Sequence, residues 1–307
     1  MVETKKGIVI ACDSGLYEIY TEDAQRISCK PRGKFRHKST KLLVGDRVEL
    51  FFDEQGNPVV ETIFERKSTL IRPPVANLDV LFIVTAASSP DPIYENIDKL
   101  TAIAEHNCIK PVIIVTKSDL SAKRAEELFS IYRRAGYDVY VAGIEDQEGR
   151  ELLLSVLKEK YSGMIAAFAG ASGVGKSTLM NGLFPTLSLK TGDVSEKIGR
   201  GKHTTRSVNL FPLKELLGAG EGFLADTPGF SMLDFENFNF FALGDLPHNF
   251  PEFEEQLGCC KYTKCTHRKE DGCVILERVR QGAIPKSRHD SYCALYDLLK
   301  NKHEWEK

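Results

Sequence analysis

The segment Gly170-Ala-Ser-Gly-Val-Gly-Lys-Ser177 decides the fold. It follows the apolar run Met164–Ala169 directly and opens a helical pattern at Lys176–Leu183. A strand, a glycine-rich turn of this spacing and a helix form a phosphate-binding loop, because glycine lets backbone N–H groups surround a phosphate at the positive end of the helix. We therefore expect a nucleoside triphosphate here, with Lys176 at the β- and γ-phosphates and Ser177 as a Mg²⁺ ligand.

Strands and helices alternate on both sides of this loop. Buried strands are predicted by the β-branched, apolar runs Val80–Thr85, Pro111–Thr116, Asp138–Ala142, Met164–Ala169, Val208–Phe211 and Gly222–Ala225. Helices are predicted between them at Ile97–Cys108, Ala122–Ala135, Arg150–Lys160 and Lys176–Leu183. This alternation predicts an α/β domain over residues 73–232, with a mainly parallel sheet and helices on both of its faces.

Two further motifs follow predicted strands. Thr116-Lys-Ser-Asp119 resembles the N-K-x-D guanine clamp of GTPases, in which Asp119 would accept hydrogen bonds from guanine and the Lys117 stem would lie on the base. Thr116 replaces the usual asparagine, so we expect the loss of an amide that ties the clamp to the phosphate loop. Asp226-Thr-Pro-Gly229 can hold Mg²⁺ through water and sense the γ-phosphate.

The order of these motifs differs from that of Ras-type GTPases, in which the phosphate loop comes first and the guanine clamp last. Here the clamp at 116–119 precedes the phosphate loop at 170–177, which predicts a circularly permuted GTPase domain. Val141-Ala142-Gly143 is expected to form a further guanine-contacting loop. The residues predicted to bind GTP are Thr116, Lys117, Ser118, Asp119, Gly170, Ala171, Ser172, Gly173, Val174, Gly175, Lys176, Ser177, Thr178, Asp226 and Gly229.

The basic, glycine-rich segment Gly199-Arg-Gly-Lys-His-Thr-Thr-Arg206 predicts a nucleotide-responsive switch. One of its threonines is expected to bind Mg²⁺, and we favour Thr205 over Thr204, although little separates them. Phe230 stands near the place of the water-orienting glutamine of Ras-type GTPases, so intrinsic hydrolysis should be slow until a partner orders the switch. His203 either positions water or rests on the loop surface. The predicted catalytic residues are His203, Thr205 and Lys176, and the predicted Mg²⁺ ligands are Ser177 and Thr205.

The N-terminal part of the chain reads as a small β-barrel. Short strands are predicted at Gly7–Ala11, Leu16–Tyr20, Arg26–Cys29, Arg47–Phe52 and Val59–Ile63, which suits an OB-type barrel over residues 1–72. From Ala24 to Gly45 the chain carries seven Lys/Arg and no acidic residue. Such a loop is a common nucleic-acid contact on OB-type barrels, with Phe35 as a stacking ring, and the alternative is a solvated loop. We favour RNA binding.

A cysteine cluster lies near the C-terminus. Cys260-x₄-Cys265-x-His267-x₅-Cys273 supplies three thiolates and one imidazole, a closed set typical of structural Zn²⁺. Cys259 could replace Cys260, but the spacing suits Cys260 better. The alternative is a group of free thiols in an irregular loop, but so small a segment has little core of its own and needs a metal to order it.

The composition places these segments in a soluble protein of several domains. The chain has 307 residues, of which 42% are hydrophobic and 27% charged, as in ordinary globular proteins. Its net charge of −2 gives no overall attraction to nucleic acid, so RNA contacts need local patches. The N-terminus does not read as a signal peptide and no apolar run reaches membrane length, so a cytoplasmic protein is expected. A zinc-binding domain is expected over residues 233–307, with a helix near His289–Lys300.

Together these residues resemble one family closely, the ribosome small-subunit-dependent GTPases, also called RsgA, YjeQ or YloQ. The resemblance covers nearly the whole chain, and the departures are Thr116 and Lys202. It rests on the order of 116–119, 170–177 and 226–229, the G-R-G-K-H-T-T segment and the spacing of the cysteines and histidine. It implies a bacterial cytoplasmic GTPase of late small-subunit maturation that binds rRNA near the decoding region and is stimulated by the 30S subunit. Mg²⁺ with GTP and one structural Zn²⁺ are the implied cofactors, and a monomer is expected.

Two other functions remain as alternatives at this point. An RNA-binding scaffold with bound but unhydrolysed nucleotide is kept open by Phe230. An ATPase or small-molecule kinase is the second alternative, and Asp119 argues against it because adenine lacks the pair of donors that this carboxylate would read.

Overall fold

The computed structural model describes residues 4–31, 41–143, 146–187, 208–226 and 240–305. Its first strands close into a barrel in the order β1-β2-β3-β5-β4, with β4 pairing back to β1. All pairs are antiparallel except β3 with β5. The strands are β1 (Thr4–Asp13), β2 (Leu16–Thr21), β3 (Arg26–Pro31), β4 (Arg47–Phe52) and β5 (Pro58–Ile63). The predicted OB-type barrel is confirmed.

A short connector joins the barrel to the second sheet. It contains the paired strands β6 (Thr69–Leu70) and β7 (Val75–Ala76), which sequence reasoning missed because each has only two residues. Gly45 must be glycine here, since its φ is +91° and a Cβ would stand 1.9 Å from the carbonyl oxygen of Ala76. The buried Asn77 Nδ2 donates to the carbonyl oxygen of Gly45 at 2.9 Å, which fixes the connector to the barrel.

The second sheet has six strands in the order β10-β9-β8-β11-β13-β12. Its neighbours are parallel except β12 and β13, which confirms the mainly parallel sheet. The strands are β8 (Val80–Ala86), β9 (Lys110–Thr116), β10 (Asp138–Val141), β11 (Ile165–Ala169), β12 (Asn209–Pro212) and β13 (Phe223–Asp226). Alternate residues of β8 enter two separate apolar clusters, Leu81 and Ile83 in one and Phe82 and Val84 in the other, so both faces of the sheet are covered.

The helices of this part lie where the sequence predicts them, with shifted ends. They are α1 (Tyr94–His106), α2 (Ala122–Arg134), α3 (Gln147–Lys158), α4 (Lys176–Leu183) and the unpredicted short α5 (Leu213–Leu217). Ser121 caps α2, since its side chain accepts from the N–H of Arg124. The helix α3 begins before the expected Arg150 because the Asp146 carboxylate accepts the N–H of Gly149 and caps it there.

The C-terminal part packs against α1. It consists of two 3₁₀ segments, Leu243–Asn249 and Pro251–Gln256, followed by α6 (Val274–Arg280) and α7 (Lys286–Trp305). The rings of Phe250, Phe253 and Tyr292 meet at centroid distances of 5.0 to 5.4 Å and form its core. The predicted C-terminal helix exists and is longer than expected, whereas α6 was not predicted. Among the described residues, no helix combines the length and the apolar character needed to cross a membrane.

Candidate nucleotide site and metal centre

The phosphate loop runs from the end of β11 into α4. Gly170 has φ +151°, and a Cβ there would lie 2.3 Å from the carbonyl oxygen of Val84 in the neighbouring strand. Gly175 takes the left-handed conformation at the start of α4, with φ +90°. Larger residues at both positions would be strained, so the glycines of the motif are required by the backbone path. The loop therefore presents the first turn of α4 to a ligand, as phosphate binding demands.

The guanine clamp lies against this loop. The buried Oγ1 of Thr116 lies 2.5 Å from the carbonyl oxygen of Val174 and 3.2 Å from that of Thr85. The Nζ of Lys117 donates to the carbonyl oxygen of Gly173 at 2.8 Å. The expected loss of the tie between clamp and phosphate loop was wrong, because the threonine hydroxyl makes that bond in place of an amide. The permuted chain order thus brings both motifs together at the carboxyl end of the sheet.

The remaining clamp residues are Ser118, which is half-buried, and Asp119. Asp119 is exposed at the end of the clamp, where its carboxylate is open to a ligand. The Oγ of Ser118 lies 3.8 Å from the position that a Cβ on Gly143 would occupy. The N–H of Ala142 donates to the carbonyl oxygen of Val115 at 2.9 Å. The segment 141–143 therefore borders the clamp, as expected of a further base-contacting loop.

Two oppositely charged groups occupy the phosphate end of the site. Burial lowers the pKa of Lys176, and the carboxylate of Asp226 partly offsets this. Burial likewise raises the pKa of Asp226, with Lys176 acting in the opposite direction. Both side chains are poorly hydrated and influence each other, so each favours an added counter-charge. A triphosphate at Lys176 and a cation near Asp226 would supply those charges.

Several predicted site residues lie outside the described residues. Nothing is therefore added to the expectations for the switch segment or for residues 227–229 of the Asp226–Gly229 motif. These residues are Phe35, His203, Thr204, Thr205, Gly229 and Phe230.

The cysteine cluster has the dimensions of a tetrahedral metal site. The Sγ atoms of Cys260 and Cys273 are 3.9 Å apart and lie 3.5 and 3.6 Å from Nδ1 of His267. With Cys265 the four ligand atoms fall within 4.8 Å of one another. Zinc bonds of about 2.3 Å to sulfur and about 2.0–2.1 Å to nitrogen place tetrahedral ligands about 3.8 Å (S to S) and about 3.6 Å (S to N) apart. The residues therefore fit an ion of this size, and the exposed Cys259 lies outside the group.

The protonation of the ligands depends on the metal. Burial raises the pKa of the Cys265 thiol to about 12 and also raises that of Cys273. Burial lowers the pKa of His267, which keeps the imidazole neutral. Without a cation, Cys265 and Cys273 are thus protonated thiols beside a neutral imidazole. Metal binding must release the thiol protons, so its strength should increase with pH.

Side chains distant in sequence support the ligands. The Nε2 of His289 donates to the carbonyl oxygen of His267 at 2.7 Å. The hydroxyl of Tyr292 donates to the carbonyl oxygen of Thr266 at 2.9 Å. Burial opposes charge on Glu270, but hydrogen bonds from backbone N–H groups and Thr266 hold its pKa well below the usual range. Sequence spacing gave no signal for these contacts, because α7 meets the cluster only through tertiary packing.

Comparison with known proteins matches this geometry. The family description "RsgA GTPase" matches residues 63–236, and "RsgA N-terminal domain" matches residues 6–60. The chain is 36% identical over 301 residues to the small ribosomal subunit biogenesis GTPase RsgA of Clostridium botulinum strain Langeland, covering 97% of this chain and 99% of that protein. The chain belongs to the RsgA GTPase family. A relative of the same name from Halalkalibacterium halodurans is also 36% identical, with coverage of 97% and 98%.

Solved structures agree with membership in the RsgA family. YjeQ from Thermotoga maritima is 33% identical, with a TM-score of 0.80, and the match covers 97% of this chain and 99% of that one. YloQ, described as a circularly permuted GTPase, is 30% identical, with a TM-score of 0.77 and coverage of 98% and 96%. The resemblance and the circular permutation predicted from motif order are confirmed.

Proposed function

We propose that this RsgA-family protein is a GTPase that binds the small (30S) ribosomal subunit and assists its late maturation. GTP hydrolysis on the subunit would drive the release of the protein itself or of other factors. The observation that carries the GTPase assignment is the contact of Thr116 and Lys117 with Val174 and Gly173, because it joins a guanine-reading segment and a triphosphate loop in one site. The names of the curated relatives supply the partner.

Each predicted site residue has a role in this proposal. Asp119 reads guanine, and the N–H groups of 170–178 surround the phosphates while Lys176 offsets their charge. Ser177 and Thr205 would hold Mg²⁺, with Asp226 acting through water, and the ion would supply further charge neutralisation. His203 positions the attacking water once the subunit orders the switch, and Gly229 senses the γ-phosphate. Thr205 and His203 complete the catalytic set with Lys176.

The two flanking domains would hold RNA. We assign residues 1–72, 73–232 and 233–307 to an OB-type RNA-binding domain, the permuted GTPase domain and a zinc-binding domain. The Nζ of Lys261 lies 5.4 Å from the ring centroid of the exposed Tyr262. Beside the cysteine cluster, this ring could stack on an RNA base while the ammonium contacts a phosphate. A structural Zn²⁺ would fix that surface. The protein would act as a monomer in the cytoplasm.

The decisive experiment is single-turnover GTP hydrolysis by the purified protein, alone and with isolated 30S subunits. Large subunits and ATP serve as controls for partner and nucleotide specificity. Hydrolysis that is stimulated by 30S but not by large subunits, and for GTP but not for ATP, supports the proposal. A Lys176→Ala variant should lose this stimulated hydrolysis. Nucleotide binding without stimulated hydrolysis would instead favour an RNA-binding scaffold, and it would remove the assignment of His203.

A further inference from the structure

One buried arginine joins the C-terminal helix to the nucleotide-binding part of the chain. Arg288 in α7 is 0% exposed, and its Nη1 donates to Asp98 at 2.7 Å and to Thr101 at 3.0 Å, both in α1. Its Nε and Nη2 donate to the two oxygens of Glu252 at 2.7 and 3.1 Å, and Nη2 also donates to the hydroxyl of Tyr137 at 3.1 Å. These five bonds hold α1, the second 3₁₀ segment and the residue before β10 against one side chain.

The next residue of the same helix holds the metal cluster. The Nε2 of His289 donates to the backbone of the ligand His267, and Tyr292 one turn later donates to Thr266. Arg288 and His289 are consecutive in a regular helix. A movement of the loop that carries the metal ligand His267 would therefore move His289 and, with it, the neighbouring Arg288. The cluster and α1 are therefore held by the same turn of α7.

The N-terminal end of α1, less than two turns from Asp98, leads to the guanine clamp. The loop 87–93 between β8 and α1 contacts two clamp residues. The N–H of Ala87 donates to the carbonyl oxygen of Thr116 at 2.8 Å, and Nζ of Lys117 bonds to the carbonyl oxygen of Ser89 as well as to that of Gly173. A shift of α1 along its axis would move this loop, and with it the lysine that also bonds to the phosphate loop.

We propose that Arg288 is a positioning residue for guanine-nucleotide binding, and that it couples occupancy of the zinc cluster to the affinity for GDP and GTP. The inference rests on the proposed function, because it takes 116–119 and 170–177 as the guanine-nucleotide site. A lysine at this position keeps the charge, but its single ammonium cannot replace the planar fork that bridges Asp98 and Glu252. Coupling between two binding sites is reciprocal, so GDP should strengthen zinc binding by the factor by which zinc strengthens GDP binding.

The first test uses the zinc-loaded full chain and mantGDP, a fluorescent GDP analogue. The Arg288→Lys variant should bind mantGDP at least roughly fivefold more weakly, the lower end of typical couplings, with zinc content and circular dichroism unchanged. The matched control is Arg268→Lys, since Arg268 belongs to the ligand loop and pairs with Asp297 on the exposed side of α7 at 2.7 Å. Its mantGDP affinity should stay within about twofold of the wild type, as expected for an exposed ion pair. An unchanged mantGDP affinity in folded Arg288→Lys overturns the proposal.

The second test needs no variant, so it tests the coupling between zinc and GDP even if Arg288→Lys does not fold. Zinc affinity of the wild-type chain is measured by chelator competition with and without GDP. Tighter zinc binding with GDP, by roughly fivefold or more, supports the coupling, and equal affinities overturn it. A wild-type chain that binds zinc but no guanine nucleotide contradicts the proposed function, and this inference fails with it. If the chain binds GDP with an affinity that does not depend on zinc, the proposed coupling is wrong but the proposed function is unaffected.

Discussion

The cysteine cluster and the phosphate loop both precede a helix, but they are held in opposite ways. At the cluster, side chains converge on one point, and the last ligand, Cys273, is also the N-cap residue of α6. At the phosphate loop, Thr116 and Lys117 bind carbonyl oxygens of the loop from behind. A phosphate is bound by N–H donors and cannot use carbonyl oxygens, so these bonds shape the loop without occupying the groups a nucleotide needs.

This difference separates a permanent site from an exchangeable one. Three sulfurs and a nitrogen complete the shell of a tetrahedral ion and leave no position for a substrate. At the predicted nucleotide site, by contrast, Asp119 is exposed and Lys176 is poorly hydrated, so both can bind a ligand that exchanges with solvent. The cluster should therefore respond to substitution with loss of structure, and the nucleotide site with loss of affinity.

The largest effect is expected at a buried zinc ligand. Cys273→Ser should remove most of the apparent metal binding free energy, about 10–16 kcal/mol in structural zinc sites, and should lower the melting temperature. Zinc content and thermal unfolding measure both effects. Cys259→Ser is the matched control, because this neighbouring thiol is exposed and outside the ligand group. Full zinc content in Cys273→Ser, or its loss in Cys259→Ser, would contradict the assignment of the ligands.

A smaller effect is expected where the base is read. Asp119→Asn should weaken GTP binding by about 3 kcal/mol, since two hydrogen bonds to a charged acceptor are disturbed. The stability should hardly change, because Asp119 is exposed. Equilibrium titrations with GTP and xanthosine triphosphate provide the measurement. The variant should favour xanthosine triphosphate, whose second carbonyl accepts from the new amide, whereas Glu126→Gln on the nearby α2 should leave both affinities unaltered.

The hydrogen bond from Thr116 to the phosphate loop should contribute less to nucleotide affinity than the contact of Asp119 with the base. Thr116→Val keeps the shape of the buried side chain but removes the hydroxyl beside the carbonyl oxygens of Val174 and Thr85. We expect GDP affinity to fall roughly tenfold, about 1.4 kcal/mol, the cost typical of a buried acceptor left without its donor. Thr116→Ser should recover most of this loss. If valine and serine behaved alike in isothermal titration with GDP, the hydroxyl would have no part in shaping the loop.

Sequence reasoning succeeded where one local rule was sufficient. The strand, glycine turn and helix at 165–183 follow from backbone geometry, and the set Cys260, Cys265, His267 and Cys273 follows from ligand chemistry. Motif order alone revealed the permutation, because each motif marks a particular strand end of the sheet. The barrel followed from five short β-type runs separated by turn residues, a pattern typical of a small closed sheet.

It failed where contacts depend on distant packing. The hydroxyl of Thr116 makes the bond to the phosphate loop that was expected to be lost with the usual asparagine, because Val174 approaches β9 closely enough for a short side chain to reach it. Sequence reasoning did not single out Arg288, which precedes the helix predicted near His289–Lys300 and is fully buried against Asp98. Nothing in the spacing of 98 and 288 connects them. A buried arginine is recognisable only once the fold has brought its carboxylates together.

The smallest predicted effect lies at Glu105 in α1, between the two regions. Burial raises its pKa from the ordinary 4.5 to about 7, Arg288 lowers it and Glu252 raises it again. Between those two pH values the folded chain holds a proton that the unfolded chain has released, so the free energy of unfolding decreases as pH rises and stays lower above 7. Glu105→Gln should remove this decrease. The variant should match the wild type near pH 4.5 and exceed it at pH 8 in urea unfolding by on the order of 1 kcal/mol. This is less than the full change in pKa would give, because Glu105 is only partly buried and solvent screens its charge. The exposed Glu126→Gln is the reference variant. Parallel curves of unfolding free energy against pH for Glu105→Gln and the wild type would show that this carboxyl group does not destabilise α1 above pH 7. The link between the cysteine cluster and the nucleotide site through α1 would then rest on the bonds of Arg288 alone.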